Sequence, residues 1–79
     1  MDVILASRSP RRKEILGRIF PDFRVIPSGV DESALDQSDP VFFVREAAVL
    51  KARDVGARFP DSLVIAADTV VCLDREIFG

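Results

Sequence analysis

The stretch Val3-Ile4-Leu5-Ala6-Ser7-Arg8-Ser9-Pro10-Arg11-Arg12-Lys13-Glu14-Ile15-Leu16 leaves this chain little freedom in how it begins. Val3 to Ala6 is an apolar run of the length of a buried strand. Two serines then turn the chain, and a helix follows. Ser9 carries a hydroxyl suited to accept a hydrogen bond from a first-turn N–H. Pro10 suits the first helical position, where its missing donor is not needed and its φ is already helical. The opening is therefore strand, turn, helix, with the helix N–H groups directed back toward Ser7, Arg8 and Ser9.

Four cationic side chains (Arg8, Arg11, Arg12 and Lys13) crowd this turn. The N–H groups and the positive end of the helix dipole attract anions, and arginine forks bind phosphate oxygens in pairs. Positive charge in a first turn opposes the dipole, so a sequence shaped by stability alone would seldom place it there. Two readings stay open: a phosphate-binding turn, or a solvated basic patch beside an ordinary cap.

At 79 residues, 48% hydrophobic and 30% charged, the chain has the size and balance of one small globular domain. A net charge of −2 argues against a general nucleic-acid binder. Cys72 is the single cysteine, which excludes an internal disulfide and fits a reducing compartment. It lies in an apolar run, as a small core residue would. The absence of histidine excludes a Ser-His-Asp triad and His-ligated zinc. Residues 1–6 lack signal-peptide character, and no apolar run approaches membrane-spanning length. A cytoplasmic location is the expectation.

The first helix is expected from about Pro10 to Phe20, with Ile15, Leu16, Ile19 and Phe20 on its apolar side. Gly17 weakens its last turns, and Pro21-Asp22 ends it. Phe23 to Ile26 reads as a short second strand closed by Pro27-Ser28-Gly29. An acidic loop follows, containing Asp31, Glu32, Asp36 and Asp39. Val30 could anchor the Asp31-Glu32 pair against the core. Otherwise these carboxylates read as solvated or capping groups.

Ser38-Asp39-Pro40 is a helix start, and the second helix is expected from Pro40 to about Arg58. Val41, Val44, Ala48, Val55 and Phe59 fall on one stripe. Lys51 lies within that stripe and admits two readings. Its methylenes could run along the core to a surface ammonium, or it could point into a cleft toward an anion.

Leu63 to Leu73 is apolar on both alternating faces, as a central strand covered on two sides would be. Asp68 and Thr69 interrupt it. A buried carboxylate needs a cation, a metal or an open cleft, and the small Ala66 and Ala67 leave room for one. The alternative is that the strand ends at Ala67 and Asp68 caps a turn. Asp74-Arg75 suits a tight hairpin turn. The alternation of strands and helices is that of an α/β layered domain.

Four segments, in order, resemble the Maf family of nucleoside triphosphate pyrophosphatases. They are Leu5 to Leu16, Val30-Asp31-Glu32, Ala48 with Lys51-Ala52, and Ala66-Ala67-Asp68-Thr69-Val70-Val71. The resemblance implies a mixed α/β sheet flanked by helices, related to the inosine triphosphate pyrophosphatases, with a cleft between two lobes. It implies hydrolysis of a nucleoside triphosphate to the monophosphate and pyrophosphate with a divalent cation, Mg²⁺ or Mn²⁺. Asp68 matches the family's proton acceptor, while Arg11 and Thr69 match positions that influence the base accepted. Pro-Arg-Arg and Ala-Asp-Thr resemble the dTTP/UTP subfamily.

On that resemblance Ser7, Ser9, Arg11, Arg12 and Lys51 would hold the triphosphate, and Glu32 and Asp68 the metal. Residues 1–79 would be the N-terminal portion of a single Maf-like domain, since the family continues with a Gly-Lys-Pro segment and a base-reading glutamine. The implied partner is a nucleoside triphosphate, with neither nucleic acid nor membrane, and with a homodimer left open. The alternative functions are a non-catalytic nucleotide- or phosphate-binding module, or an interaction module touching cell division, given the family's association with septum formation.

Overall fold

Ile4 and Leu5 are buried because their strand, β1 (Val3–Leu5), has a neighbour on each side. In the computed structural model, which describes residues 2–31, 33, 35–66 and 70–78, β1 leads into α1 (Pro10–Gly17) and then β2 (Arg24–Val25). Next come α2 (Pro40–Arg58), β3 (Leu63–Ala66), β4 (Val70–Leu73) and β5 (Glu76–Phe78). The sheet order is β2-β1-β3-β4-β5. β1 runs parallel to both β2 and β3, and β3, β4 and β5 form an antiparallel meander. This mixed sheet with two helices is the α/β class expected from the alternation of elements.

The three parallel strands finish at one edge of the sheet. Leu5 lies opposite Val25 and Ile65. The ladder extends past both pairs: the Ala6 N–H donates to the Ile65 carbonyl at 2.9 Å, and the Ile26 N–H to the Leu5 carbonyl at 3.1 Å. The chain leaves β1 toward one side and returns from β2 across β1 to β3. In open α/β sheets, a crevice outside the carboxyl ends of strands at such a reversal is where ligands bind.

The core lies between α2 and the sheet. Ala48, Ala52 and Val55 are fully buried against Ile4, Val64, Val70 and Cys72. Cys72 is a packed core residue, as its run implied. A Cβ added to Gly56 would sit 2.7 Å from Cys72 Sγ, so a residue without a side chain is what lets α2 approach β4 this closely.

The structure corrects several expected boundaries. α1 stops at Gly17 instead of Phe20, and the chain tightens afterwards through Arg18 N–H to Ile15 O and Ile19 N–H to Leu16 O. Only Leu16 of the expected apolar side is buried in the helix, while Ile15 and Ile19 are exposed. α2 has the expected bounds, and of the expected stripe Ala48 and Val55 are buried and Phe59 packs against the core, but the stripe fails at its start. Ala47, Ala48, Ala52, Val55 and Gly56 face inward, whereas Val41 is 80% exposed and Val44 is also exposed. The helix meets the sheet from Ala47 to Gly56, mostly through small residues, and its first turns stay exposed.

The apolar stretch from Leu63 to Leu73 is two strands, not one. Val64 pairs with Cys72, and Ala66 with Val70. Its run of apolar residues on both faces reflects two adjacent interior strands. Asp68 and Thr69, on which the alternatives for this stretch turned, lie outside the described residues. Asp74 and Arg75 form the expected tight turn between Leu73 and Glu76, with φ of 51° and 65°. Both lie in the left-handed region that a two-residue hairpin of this hand requires.

Candidate functional site

A cleft of about 390 Å³ opens beyond the carboxyl ends of β1 and β2. One wall is the β1–α1 turn, with Ala6, Ser7, Arg8, Ser9 and Arg12. The other is the segment after β2, Pro27 to Val30, and Lys51 reaches the cleft from α2. Four residues expected to hold phosphate (Ser7, Ser9, Arg12 and Lys51) therefore meet in one space. Arg11 is exposed and is not among the residues lining this cleft. Glu32, Asp68 and Thr69 lie outside the described residues.

Local hydrogen bonds set the turn. Ser9 Oγ accepts from the Arg12 N–H at 3.3 Å and caps α1, with Pro10 in the first turn. Ser7 Oγ accepts from the Ser9 N–H at 3.1 Å. Two of the N–H groups expected to face an anion are thus taken by the turn's own hydroxyls. Each hydroxyl keeps its proton to donate. The first turn of α1 contains no acidic residue, so Arg8 and Arg12 stand beside the dipole's positive end without a local countercharge from that turn. Lys51 is half-buried at the cleft. Of its two readings, the approach to a cleft is the one its position among the lining residues favours.

The opposite wall is a feature the sequence did not flag. Asp54 Oδ2 on α2 accepts from Ser28 Oγ at 2.9 Å and from the Gly29 N–H at 3.1 Å. Ser28 Oγ in turn accepts from the Val30 N–H at 3.0 Å. The Gly29 N–H, then the Ser28 hydroxyl, hold the Asp54 carboxyl below the usual carboxylate range, with Arg58 adding a smaller effect. Asp54 lies three residues after Lys51, a helical spacing that puts both on neighbouring positions of α2. That spacing was visible, but a partner 26 residues away in a loop leaves no local pattern.

A metal ion would need donors that the described part of the cleft does not offer. Among the described residues no three His, Cys, Asp or Glu side chains gather to hold one. Asp31 is exposed and turned on its own loop, accepting from Ser33 Oγ at 2.6 Å and the Ser33 N–H at 3.0 Å. Those bonds, the hydroxyl's first, lower its pKa. The described lining (arginines, a lysine and hydroxyl groups) fits phosphate oxygens, and the two residues expected to hold a cation, Glu32 and Asp68, lie outside the described residues.

The fold is that of an α/β domain whose parallel-strand edge bears a cationic, hydroxyl-lined cleft of a chemistry that suits an anion. Comparison with known proteins narrows this class. The chain belongs to the Maf family, whose model, described as Maf-like protein, matches residues 2–79. It is 48% identical over 79 residues to a dTTP/UTP pyrophosphatase of Thermosipho africanus, covering all of this chain and 39% of that relative. It is 52% identical over 77 residues to a dTTP/UTP pyrophosphatase of Deinococcus radiodurans, covering 98% of this chain and 39% of the relative. The corresponding enzyme of Pyrococcus furiosus is 47% identical over 77 residues, covering 98% and 40%. The chain thus spans about two-fifths of the length of the curated relatives it matches. No described helix is long and apolar enough to cross a membrane.

Proposed function

We propose that the protein acts as a nucleoside triphosphate pyrophosphatase on dTTP, UTP or related nucleotides, with the cleft holding the triphosphate. The observation carrying this reading is the convergence of Ser7, Ser9, Arg12 and Lys51, from two helices and a turn, on one cleft at the strand ends. The dTTP/UTP pyrophosphatases to which it is similar suggest the substrate class.

In this reading Arg12 and Lys51 neutralise phosphate oxygens, and Ser7 and Ser9 donate hydroxyl protons to them. Arg11 and Thr69 influence which base is accepted. Asp68 takes the proton of a water whose oxygen bonds to the α-phosphorus. The bond from that phosphorus to the bridging oxygen breaks, and pyrophosphate leaves with the bridging oxygen. Glu32 and Asp68 would hold Mg²⁺ or Mn²⁺ together with phosphate oxygens, an ion that supplies charge neutralisation when bound. Positioning and charge neutralisation carry most of the acceleration in reactions of this kind.

β3 ends at Ala66, on the same edge of the sheet as Ala6 and Ile26. Asp68 follows that strand end by two residues in sequence. The test is pyrophosphate release from dTTP and UTP, with Mg²⁺ or Mn²⁺, by the protein and by Asp68→Asn. Removing a general base lowers the rate by about 10²–10⁴-fold, with folding retained. A folded Asp68→Asn protein with full turnover would contradict the assignment. Nucleotide binding without pyrophosphate release by the unsubstituted protein would favour a non-catalytic binding module.

A further inference from the structure

We infer that Asp54 is a positioning residue for the cleft: from α2 it clamps the Pro27–Val30 wall at a fixed distance from Lys51 and the α1 turn. The inference rests on the anion-binding reading of that cleft. It adds a residue that belongs neither to the cleft lining nor to the segments resembling the family.

The need for a clamp follows from how little else holds this wall. β2 is two residues long and exposed, and among the described residues it pairs with β1 alone. The ladder reaches its last bond at the Ile26 N–H. Beyond Ile26, Pro27 has no N–H to give. Of the backbone donors that follow, those of Gly29 and Val30 both end on the Asp54 system: Gly29 directly, and Val30 through Ser28 Oγ. One carboxylate oxygen thus organises three consecutive residues, 28 to 30, all of which line the cleft. Bonds to an ionised acceptor are the stronger kind.

The anchor itself is rigid. α2 runs for 19 residues and is packed through Ala52 and Val55, the residues flanking Arg53-Asp54. Asp39 Oδ1 caps its start through the Val41 and Phe42 N–H groups. Because Lys51 and Asp54 share this rod, the distance between the cationic side of the cleft and its opposite lip is set within one helix. Arg58, 3.4 Å from Asp54 Oδ2, offsets the carboxylate's charge. That offset lets an acid serve next to an anion-binding cleft at reduced electrostatic cost.

The experiment measures two quantities on the protein and on Asp54→Ala and Asp54→Asn. One is amide hydrogen exchange at Ile26, Gly29 and Val30; the other is affinity for inorganic tripolyphosphate. Asp54→Ala should accelerate exchange at Gly29 and Val30 while leaving Ile26 unchanged, and should weaken tripolyphosphate binding by about tenfold. Asp54→Asn keeps an acceptor oxygen of the same reach and should recover most of that affinity. A residue needed only for overall stability would move all three amides together, and that pattern overturns the inference. If Asp54→Ala does not fold, Ser28→Ala breaks the same chain one link later, and Val30 alone should lose protection.

Arg12→Ala separates the two levels. If tripolyphosphate binds, depends on Arg12 and is indifferent to Asp54→Ala, the positioning role is overturned and the cleft reading stands. If tripolyphosphate does not bind the unsubstituted protein, the cleft reading fails and the positioning role fails with it.

Discussion

The β1–α1 turn and the α2–sheet layer are built on opposite terms. In the layer, Ala48, Ala52, Val55, Val64, Val70 and Cys72 are all buried to within 1% of completely. In α1, Leu16 is the single buried residue, and Arg11, Arg12, Lys13 and Glu14 are exposed. One region is held by apolar packing, the other by a serine cap and a hydrogen bond between neighbouring serines. Apolar packing and the cationic, hydroxyl-bearing surface are therefore supplied by different residues. The cleft lies where the two regions meet: Lys51 reaches it from the packed region, and Asp54 bonds to Ser28 and Gly29 in its opposite wall.

That contrast predicts a graded set of effects. The largest is Ile4→Ala, which removes a fully buried side chain from the strand both regions share. Losses for such truncations run to about 2–5 kcal/mol, comparable with the whole stability of a small domain. Urea unfolding should show a collapse of the midpoint. A loss below about 1 kcal/mol would mean that β1 is not the common support of the two regions.

Gly56→Ala should come next. The new Cβ would fall 2.7 Å from Cys72 Sγ, so the buried thiol or the helix must shift. Overpacking costs about 1–3 kcal/mol, against a helix-propensity gain of about 1 kcal/mol, and the net change should be destabilising. Phosphate affinity measured well below the unfolding transition should stay unchanged. A stabilised Gly56→Ala protein would show that the layer has more slack than its packing indicates.

Ser9→Ala should have the smallest effect on stability, about 1 kcal/mol for a lost cap. It should nevertheless weaken anion binding, because the same hydroxyl lines the cleft. Equal fractional losses of stability and affinity in Gly56→Ala and Ser9→Ala would erase the distinction between the regions.

The sequence made the polar region legible because its signals are local. Ser9 before Pro10, Asp39 before Pro40, and Asp74-Arg75 each act within a few residues, and each turn or cap forms as read. The cationic cluster at the first turn pointed to the cleft, and Ser7, Ser9, Arg12 and Lys51 meet there. What escaped was set by tertiary distance. The strand pair within Leu63 to Leu73 stayed one of two readings, a strand end at Ala67 being the other, because two adjacent interior strands show the same apolar run as one long strand. The inward side of α2 was only partly read: Ala48 and Val55 were on the expected stripe, but Ala47, Ala52 and Gly56 are small residues, and the close approach at Gly56 is set by a strand distant in sequence. Asp54 was hidden because its partners, Ser28 and Gly29, are distant in sequence.

The most direct test of the central claim is a calorimetric titration of the protein with tripolyphosphate at low salt, repeated with Arg12→Ala and with Lys51→Ala. A cleft that grips a phosphate chain from both regions predicts one saturable site, weakened about tenfold or more by either substitution, with thermal midpoints close to that of the unsubstituted protein. Undiminished affinity in both variants, or no saturable binding at all, would contradict it.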